Sequence, residues 1–239
     1  MRISPQPSGN FTGFTLIELL VSISIIILLA TLLIVTAGKV IDSASIAQCS
    51  ANLRAIGAAS AGYIADNNGE FFPKKHNSIF NFIGKTVSGR PSALERPLNA
   101  YLGVTNIDDP VKVALCNTRK GKNAHQTWGT SYNSNHSEDI GSLSLRSSTG
   151  SHVPYSAEDP MTQRSIRLSA VQSPSRFIIA MEHGAADAVG ASDGFLATLR
   201  SHWPNKRRFH LLFADGHVAA VDIVKGKKTT ETYTFSHNE

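Results

Sequence analysis

The sequence is poor in the residues that build disulfide-rich scaffolds and cysteine-based metal modules. Only two cysteines, Cys49 and Cys116, occur among its 239 residues, which excludes both of those classes. Charged residues make up 17% of the chain and hydrophobic residues 41%, so disorder of the whole chain is not expected. The length is sufficient for one compact domain with its own core.

Signatures of catalysis are missing as well. The sequence contains no G-x-S-x-G nucleophile elbow, no HExxH and no convincing pair of carboxylates, so we predict that the protein is not an enzyme. Six residues that can ligate metals crowd the last part of the chain: Glu182, His183, His202, His210, Asp215 and His217. Their spacing matches no zinc signature, and strand alternation predicts that His210 faces water. We therefore predict no metal and no cofactor.

Basic residues are concentrated late in a chain of net charge +5. They lie at Lys206-Arg207-Arg208 and at Lys225, Lys227 and Lys228. Such a cluster fits a surface that binds polyanions or an ordinary solvated face. We favour the solvated face because no aromatic residues alternate with the basic ones, and nucleic acid is not an expected partner.

One long stretch, Phe14–Ala37, has a single charged residue, Glu18, and neither glycine nor proline. As a helix it would extend roughly 36 Å, enough to cross a hydrocarbon core of ~30 Å. It is longer than the apolar region of a cleaved secretory signal. The stretch therefore predicts a transmembrane helix, within which the Glu18 carboxylate should have a partner.

The residues Gly13–Leu20, GFTLIELL, resemble the cleavage and methylation motif of type IV prepilins and type II secretion pseudopilins. The resemblance implies that Met1–Gly13 is a leader, that a prepilin peptidase cuts after Gly13, and that the new amino group of Phe14 is methylated. It also implies that Glu18 pairs with the Phe14 amine of a neighbouring subunit in a filament.

The same resemblance implies a set of partners and a location. The partners would be prepilin peptidase, other copies of the chain or pseudopilin paralogues, an inner-membrane assembly platform and membrane lipid. The location would be the bacterial inner membrane, crossed once, with the C-terminal domain in the periplasm or, within a filament, outside the cell.

The helical pattern continues beyond the apolar stretch as a stripe with spacings of three and four. The stripe consists of Ile46, Cys49, Leu53, Ile56, Ser60 and Tyr63. Asn67-Asn68-Gly69 predicts the end of the helix. For Cys49 and Cys116, a disulfide and two free thiols remain equally open.

Strand patterns follow later in the chain. Val111–Cys116 and Phe177–Met181 predict strands, and Ser134–Ser165 predicts a long surface loop. Phe209–Ala214 and His217–Val221 flank Asp215-Gly216, which predicts a hairpin with a two-residue turn.

Around this turn, Phe213–Val218 (FADGHV) resembles a C-terminal motif of pilin-like proteins in which a histidine precedes Asp-Gly. The resemblance assigns His202, Asp215, Gly216 and His217 to the motif. His202 lies 13 positions before Asp215, whereas the family spacing is roughly ten, so an insertion near Lys206 is required.

Together these features predict an α+β, pilin-like fold with a long N-terminal helix. Its first half, 14–37, would be transmembrane, and its second half, 38–69, would be periplasmic and pack on a small antiparallel sheet within a soluble domain, 70–239. The expected function is a subunit of a type II secretion pseudopilus or type IV pilus-like filament. Alternatives are a DNA- or surface-binding minor pilin, and a membrane-anchored surface protein that does not polymerise.

Overall fold

The structure, a computed structural model, describes residues 13–72, 80–135, 166–190, 202–203 and 206–239, apart from the side chains of 33–39 and 119–121. Nearly all of the predicted leader, Met1–Gly13, and most of the predicted loop Ser134–Ser165 therefore lie outside the described residues. The chain divides into two compact units, residues 1–43 and 44–239.

Helix α1 extends from Leu16 to Asp66. Its end follows the prediction, because Asn68 and Gly69 adopt positive φ angles of 54° and 80° and the Gly69 N–H donates to the Ile64 carbonyl. In the second unit, Cys49, Leu53, Ile56 and Ser60 of the predicted stripe are buried, which confirms the packed face of this helix.

The transmembrane prediction does not hold. Among the residues that the structure describes, no helix is both long and apolar enough to cross a membrane. This finding contradicts the predicted pilin-like fold with a transmembrane half and the predicted single-pass inner-membrane location.

The second unit is α+β and contains a four-stranded antiparallel sheet in the order β1-β2-β3-β4. The strands are β1 Tyr132–Ser134, β2 Ile178–Glu182, β3 Arg208–Phe213 and β4 Val218–Asp222. Two further helices are α2 Arg119–Trp128 and α3 Ala185–Gly190. The predicted strand at Val111–Cys116 is wrong, because Lys112–Ala114 forms a 3-10 turn there.

The two faces of the sheet carry separate apolar clusters. On one side, Cys49, Leu53 and Ile56 of α1 pack in a cluster that includes Ala180 and Leu212 of the sheet. On the other, strand residues pack with α3 and with the C-terminal tail around Tyr233 and Phe235. The fit of α1 against β3 is close, since a Cβ atom at Gly57 would lie 2.9 Å from Leu212 Cδ1.

Candidate functional site

The junction Gly13-Phe14 precedes the first turn of α1 and is exposed. The Phe14 side chain is 76% exposed, and a Cβ atom at position 13 would meet no atom of the described residues within 4 Å. A peptidase could therefore reach this bond without displacing any described part of the protein.

Glu18, expected to act in assembly, caps its own helix in the isolated chain. The Thr15 N–H and hydroxyl donate to Glu18 Oε2 at 2.9 and 2.7 Å, and the Glu18 N–H reaches Thr15 Oγ1 at 3.3 Å. This reciprocal pattern is a capping box, with Thr15 as N-cap and Glu18 three residues later. The bonds from the Thr15 side chain and backbone lower the pKa of the Glu18 carboxyl, so it is ionised near neutral pH.

Apolar side chains project from every side of α1 in its first unit. They are exposed from Phe14 to Leu32. The hydroxyls among them turn back onto the helix, since Ser22, Ser24 and Thr31 each donate to a carbonyl three or four residues earlier at 2.7–2.8 Å. The described surface of this segment is therefore apolar, apart from Glu18 and Thr15 at its start.

A second group of polar residues is buried in the second unit and joins residues distant in sequence. Cys49 and Cys116 form a disulfide, which is one of the two alternatives that the sequence left open. Cys116 Sγ lies 3.4 Å from His202 Nε2 and 3.7 Å from Glu182 Oε1. His202 Nε2 is 3.3 Å from the same Glu182 oxygen. We call Cys49, Cys116, Glu182 and His202 the buried cluster.

His210 supports this cluster from β3. Its Nδ1 is 2.7 Å from Glu182 Oε1 and its backbone N–H donates to Glu182 Oε2 at 3.1 Å. Burial alone would raise the pKa of the Glu182 carboxyl, but the bonds from His202 and His210 outweigh it and the pKa is lowered. Glu182 is therefore a buried carboxylate held by two imidazoles.

The prediction that His210 faces water is wrong. Its side chain shares a strand face with Leu212, and α1 covers that face. Strand alternation correctly placed the two residues on one face, but it could not tell which face would be covered.

The Asp-Gly motif forms a separate feature at the β3–β4 connection. Asp215 and Gly216 lie within the four residues Ala214–His217 that join the strands, a longer connection than predicted, and Gly216 has φ +91°. His217 Nδ1 is 2.6 Å from Asp215 Oδ1, and its ring stacks on Phe213 with centroids 4.2 Å apart. The structure thus places Asp215, Gly216 and His217 together, whereas His202 belongs to the buried cluster.

Two of the late basic residues are engaged within the protein. The Arg207 guanidinium donates to the Ala188 carbonyl. The Arg208 guanidinium lies 3.8 Å from Asp222 and over the Trp203 ring at 5.6 Å. Both guanidinium groups therefore make contacts within the protein.

In the sequence, Glu182 and His210 stand out only as two of six possible metal ligands in the last part of the chain. A stronger signal was available, because Glu182 directly follows the apolar run Phe177–Met181. A carboxylate that continues a buried strand needs a partner, and the histidines of the next strand and its preceding loop supply one.

We compared the chain with protein-family models, curated proteins and solved structures, and none of these comparisons found a match.

Proposed function

We propose that this protein is a prepilin-like subunit that is cleaved between Gly13 and Phe14, methylated on the new Phe14 amine, and assembled into a type II secretion pseudopilus or type IV pilus-like filament. The observation that supports this most strongly is the exposed apolar surface around the first part of α1. Exposed apolar area is costly in water at about 25 cal/mol per Å². A patch that surrounds a helix indicates a partner on every side.

Other copies of the same helix provide such surroundings. In a bundle of identical segments, each helix contacts apolar neighbours around its circumference, and the hydroxyls of Ser22, Ser24 and Thr31 are already bonded to backbone carbonyls. Assembly would therefore leave none of these three hydroxyls without a partner, which matters because an unpaired buried hydroxyl is unfavourable.

Cleavage would add a charge at the start of this surface. The new Phe14 amine carries a positive charge four residues before Glu18, which is already ionised. In a bundle, the Glu18 carboxylate of one subunit could pair with the Phe14 amine of the next. The pair would neutralise two charges that would otherwise be buried separately.

Processing is tested first, by intact mass and N-terminal sequencing of the full chain after expression with a prepilin peptidase. We expect a mature chain that begins at methylated Phe14. Gly13→Ala is an informative variant, because the added methyl group meets no atom of the described residues within 4 Å. A loss of cleavage would therefore report on recognition by the peptidase. An uncut chain, or cleavage elsewhere, would contradict the proposal.

Assembly is tested with Glu18→Gln in the processed protein. Glutamine also serves at this position of a capping box, so the helix start is preserved while the charge is removed. We expect crosslinked multimers and filaments for the wild type and their loss in the variant, with cleavage unchanged. Glu231→Gln, which removes an exposed charge from the C-terminal tail, is the matched control. If mature wild-type chains remain monomeric, the filament proposal is contradicted.

A further inference from the structure

We propose that Cys49, Cys116, Glu182 and His202 form a zinc site that is closed while the two cysteines are a disulfide and opens when they are reduced. The four residues come from α1, the segment before α2, the end of β2 and the chain ahead of β3. One potential ligand atom from each lies within 4.8 Å of all the others. This inference is independent of the proposed assembly, which involves the other unit.

The distances between the donor atoms match those of a tetrahedral zinc site. With Zn–S of about 2.3 Å and Zn–N and Zn–O of about 2.0–2.1 Å, tetrahedral geometry gives about 3.3 Å between nitrogen and oxygen, and about 3.5 Å from sulfur to either. The observed separations are 3.3 Å from His202 Nε2 to Glu182 Oε1, 3.4 Å from Cys116 Sγ to His202 Nε2, and 3.7 Å from Cys116 Sγ to Glu182 Oε1. Three of the four vertices are therefore in place.

Cys49 supplies the fourth vertex only after reduction. Zinc binds thiolates, whereas the sulfurs of a disulfide are bonded to each other, so the disulfide and the metal exclude one another. A dithiol reductant would transfer two electrons and two protons, giving the thiols of Cys49 and Cys116 and one disulfide in the reductant. Zn²⁺ would then bind both sulfurs and release two protons.

The surroundings suit a divalent cation. Glu182 is only 4% exposed, and its Oε1 atom lies within 3.3 Å of His202 Nε2 and 2.7 Å of His210 Nδ1, so its carboxyl oxygen already points into the cluster where a cation would bind. His210 would remain as the group that orients the carboxylate, through its ring and backbone N–H, as outer-shell partners do in zinc proteins. Two thiolates, one imidazole and one carboxylate in tetrahedral array favour zinc over Mg²⁺ or Ca²⁺, which prefer oxygen ligands.

The alternative is that the same contacts are only a hydrogen-bond network around a structural disulfide. Both interpretations account for the burial of Glu182, but they predict different behaviour of the reduced protein. A network without metal predicts that reduction simply destabilises the second unit. The zinc site predicts that reduction creates one strong binding site.

The test compares the oxidised and reduced forms of the full wild-type chain. Reduction by a phosphine is verified by mass after alkylation, and zinc uptake is measured by competition with a chromogenic chelator. We expect one zinc per reduced chain, none per oxidised chain, and a rise in the melting temperature of the reduced form on adding zinc. Cobalt in place of zinc should show the thiolate charge-transfer band and the visible bands of a tetrahedral site.

Single-residue variants assign the ligands. His210→Asn should weaken zinc binding by about 10–100-fold, as expected for an outer-shell partner, and His202→Ala, which removes a ligand, should weaken it more. His217→Ala, at the exposed turn, should leave it unchanged. The double variant Cys49→Ser/Cys116→Ser should bind no zinc in either condition. A reduced, folded wild type that takes up no zinc would overturn the inference, as would uptake that is equal in the oxidised form or unchanged by His202→Ala.

Discussion

The two ends of helix α1 face different physical situations although they belong to one continuous element. Between Leu16 and Leu32 apolar side chains point to all sides, and all the large ones are exposed. Between Cys49 and Ile64 apolar and small residues form a stripe, and that stripe is buried against the sheet. The same helical backbone thus carries an exposed apolar surface in its first part and a buried apolar stripe in its second part.

The difference shows how side-chain pattern determines what a helix requires. A helix with one apolar stripe can bury that stripe by packing a single face against the rest of the chain. A helix that is apolar on every side needs partners around its whole circumference. The second unit contains its own core, its disulfide and its buried cluster. In the first unit, the large apolar side chains from Phe14 to Leu32 are exposed. Four predictions test this contrast, from the largest expected effect to the smallest.

Removing the disulfide should affect the second unit most strongly. Cys49 and Cys116 are separated by 67 residues, and closing a loop of this size stabilises a fold by about 4 kcal/mol. Cys49→Ser/Cys116→Ser should lower the free energy of unfolding by that order, measured by urea denaturation without zinc. Hydrogen exchange of amides in residues 16–32 should not change, and faster exchange there would show that the two parts of α1 are energetically coupled.

One substitution made at two positions contrasts the two parts of α1 directly. Leu53 is fully buried and Leu28 is 62% exposed. Leu53→Ala should cost about 3 kcal/mol because it leaves a cavity in the core, whereas Leu28→Ala should leave the stability of the isolated chain nearly unchanged. Equal costs at the two positions, in thermal unfolding of the monomer, would refute the contrast.

His125 makes the free energy of unfolding of the second unit depend on pH. Burial, followed by the charges of Lys85 and Arg96, lowers the pKa of His125 to about 4 from 6.5. The unfolded chain therefore binds a proton that the folded chain does not, so this residue's contribution to stability is present above pH 6.5 and is lost as the pH falls towards 4.

We expect that loss to be about 2 kcal/mol, less than the ~3 kcal/mol that the full pKa difference would give, because solvent screens part of the interaction. His125→Gln should flatten the profile of unfolding free energy between pH 6.5 and about 4. His217→Gln at the exposed turn is the control, and a profile of His125→Gln that parallels the wild type would show that another group is responsible.

The smallest effect concerns the first turn of α1. Thr15→Ala removes the N-cap and should cost about 1 kcal/mol of local helix stability. Hydrogen exchange should therefore accelerate several-fold for amides near the helix start, with no change in global unfolding. Thr31→Ala, which removes a hydroxyl from the middle of the helix, should not produce this change, and a drop in the global melting temperature for Thr15→Ala would contradict a purely local role.

Local signals in the sequence predicted several elements correctly. Asn67-Asn68-Gly69 ends α1 because few other residues tolerate positive φ, and Asp215-Gly216 lies in the turn between β3 and β4 for a similar reason. The spacing of Cys49, Leu53 and Ile56 was sufficient to identify the buried face. Each of these features depends on residues close together in sequence.

The predictions that were wrong concern features that depend on contacts between residues far apart in sequence. Nothing near His210 shows that α1 covers its face, and the alternating pattern at Val111–Cys116 favoured a strand where a 3-10 turn forms. For the start of α1, composition alone predicted a membrane crossing that the described helix does not support. Contacts between elements far apart in sequence decide whether a side chain such as that of His210 is buried, and a window of sequence does not contain them.

By itself, the sequence determined where α1 ends, which of its faces is packed in the second unit, and where β3 and β4 turn, because short-range backbone preference and side-chain period settle these features. The tertiary structure alone decided that Cys49, Cys116, Glu182 and His202 meet. They lie as much as 153 positions apart, and only the packing of α1 on the sheet brings their donor atoms to within 4.8 Å of one another.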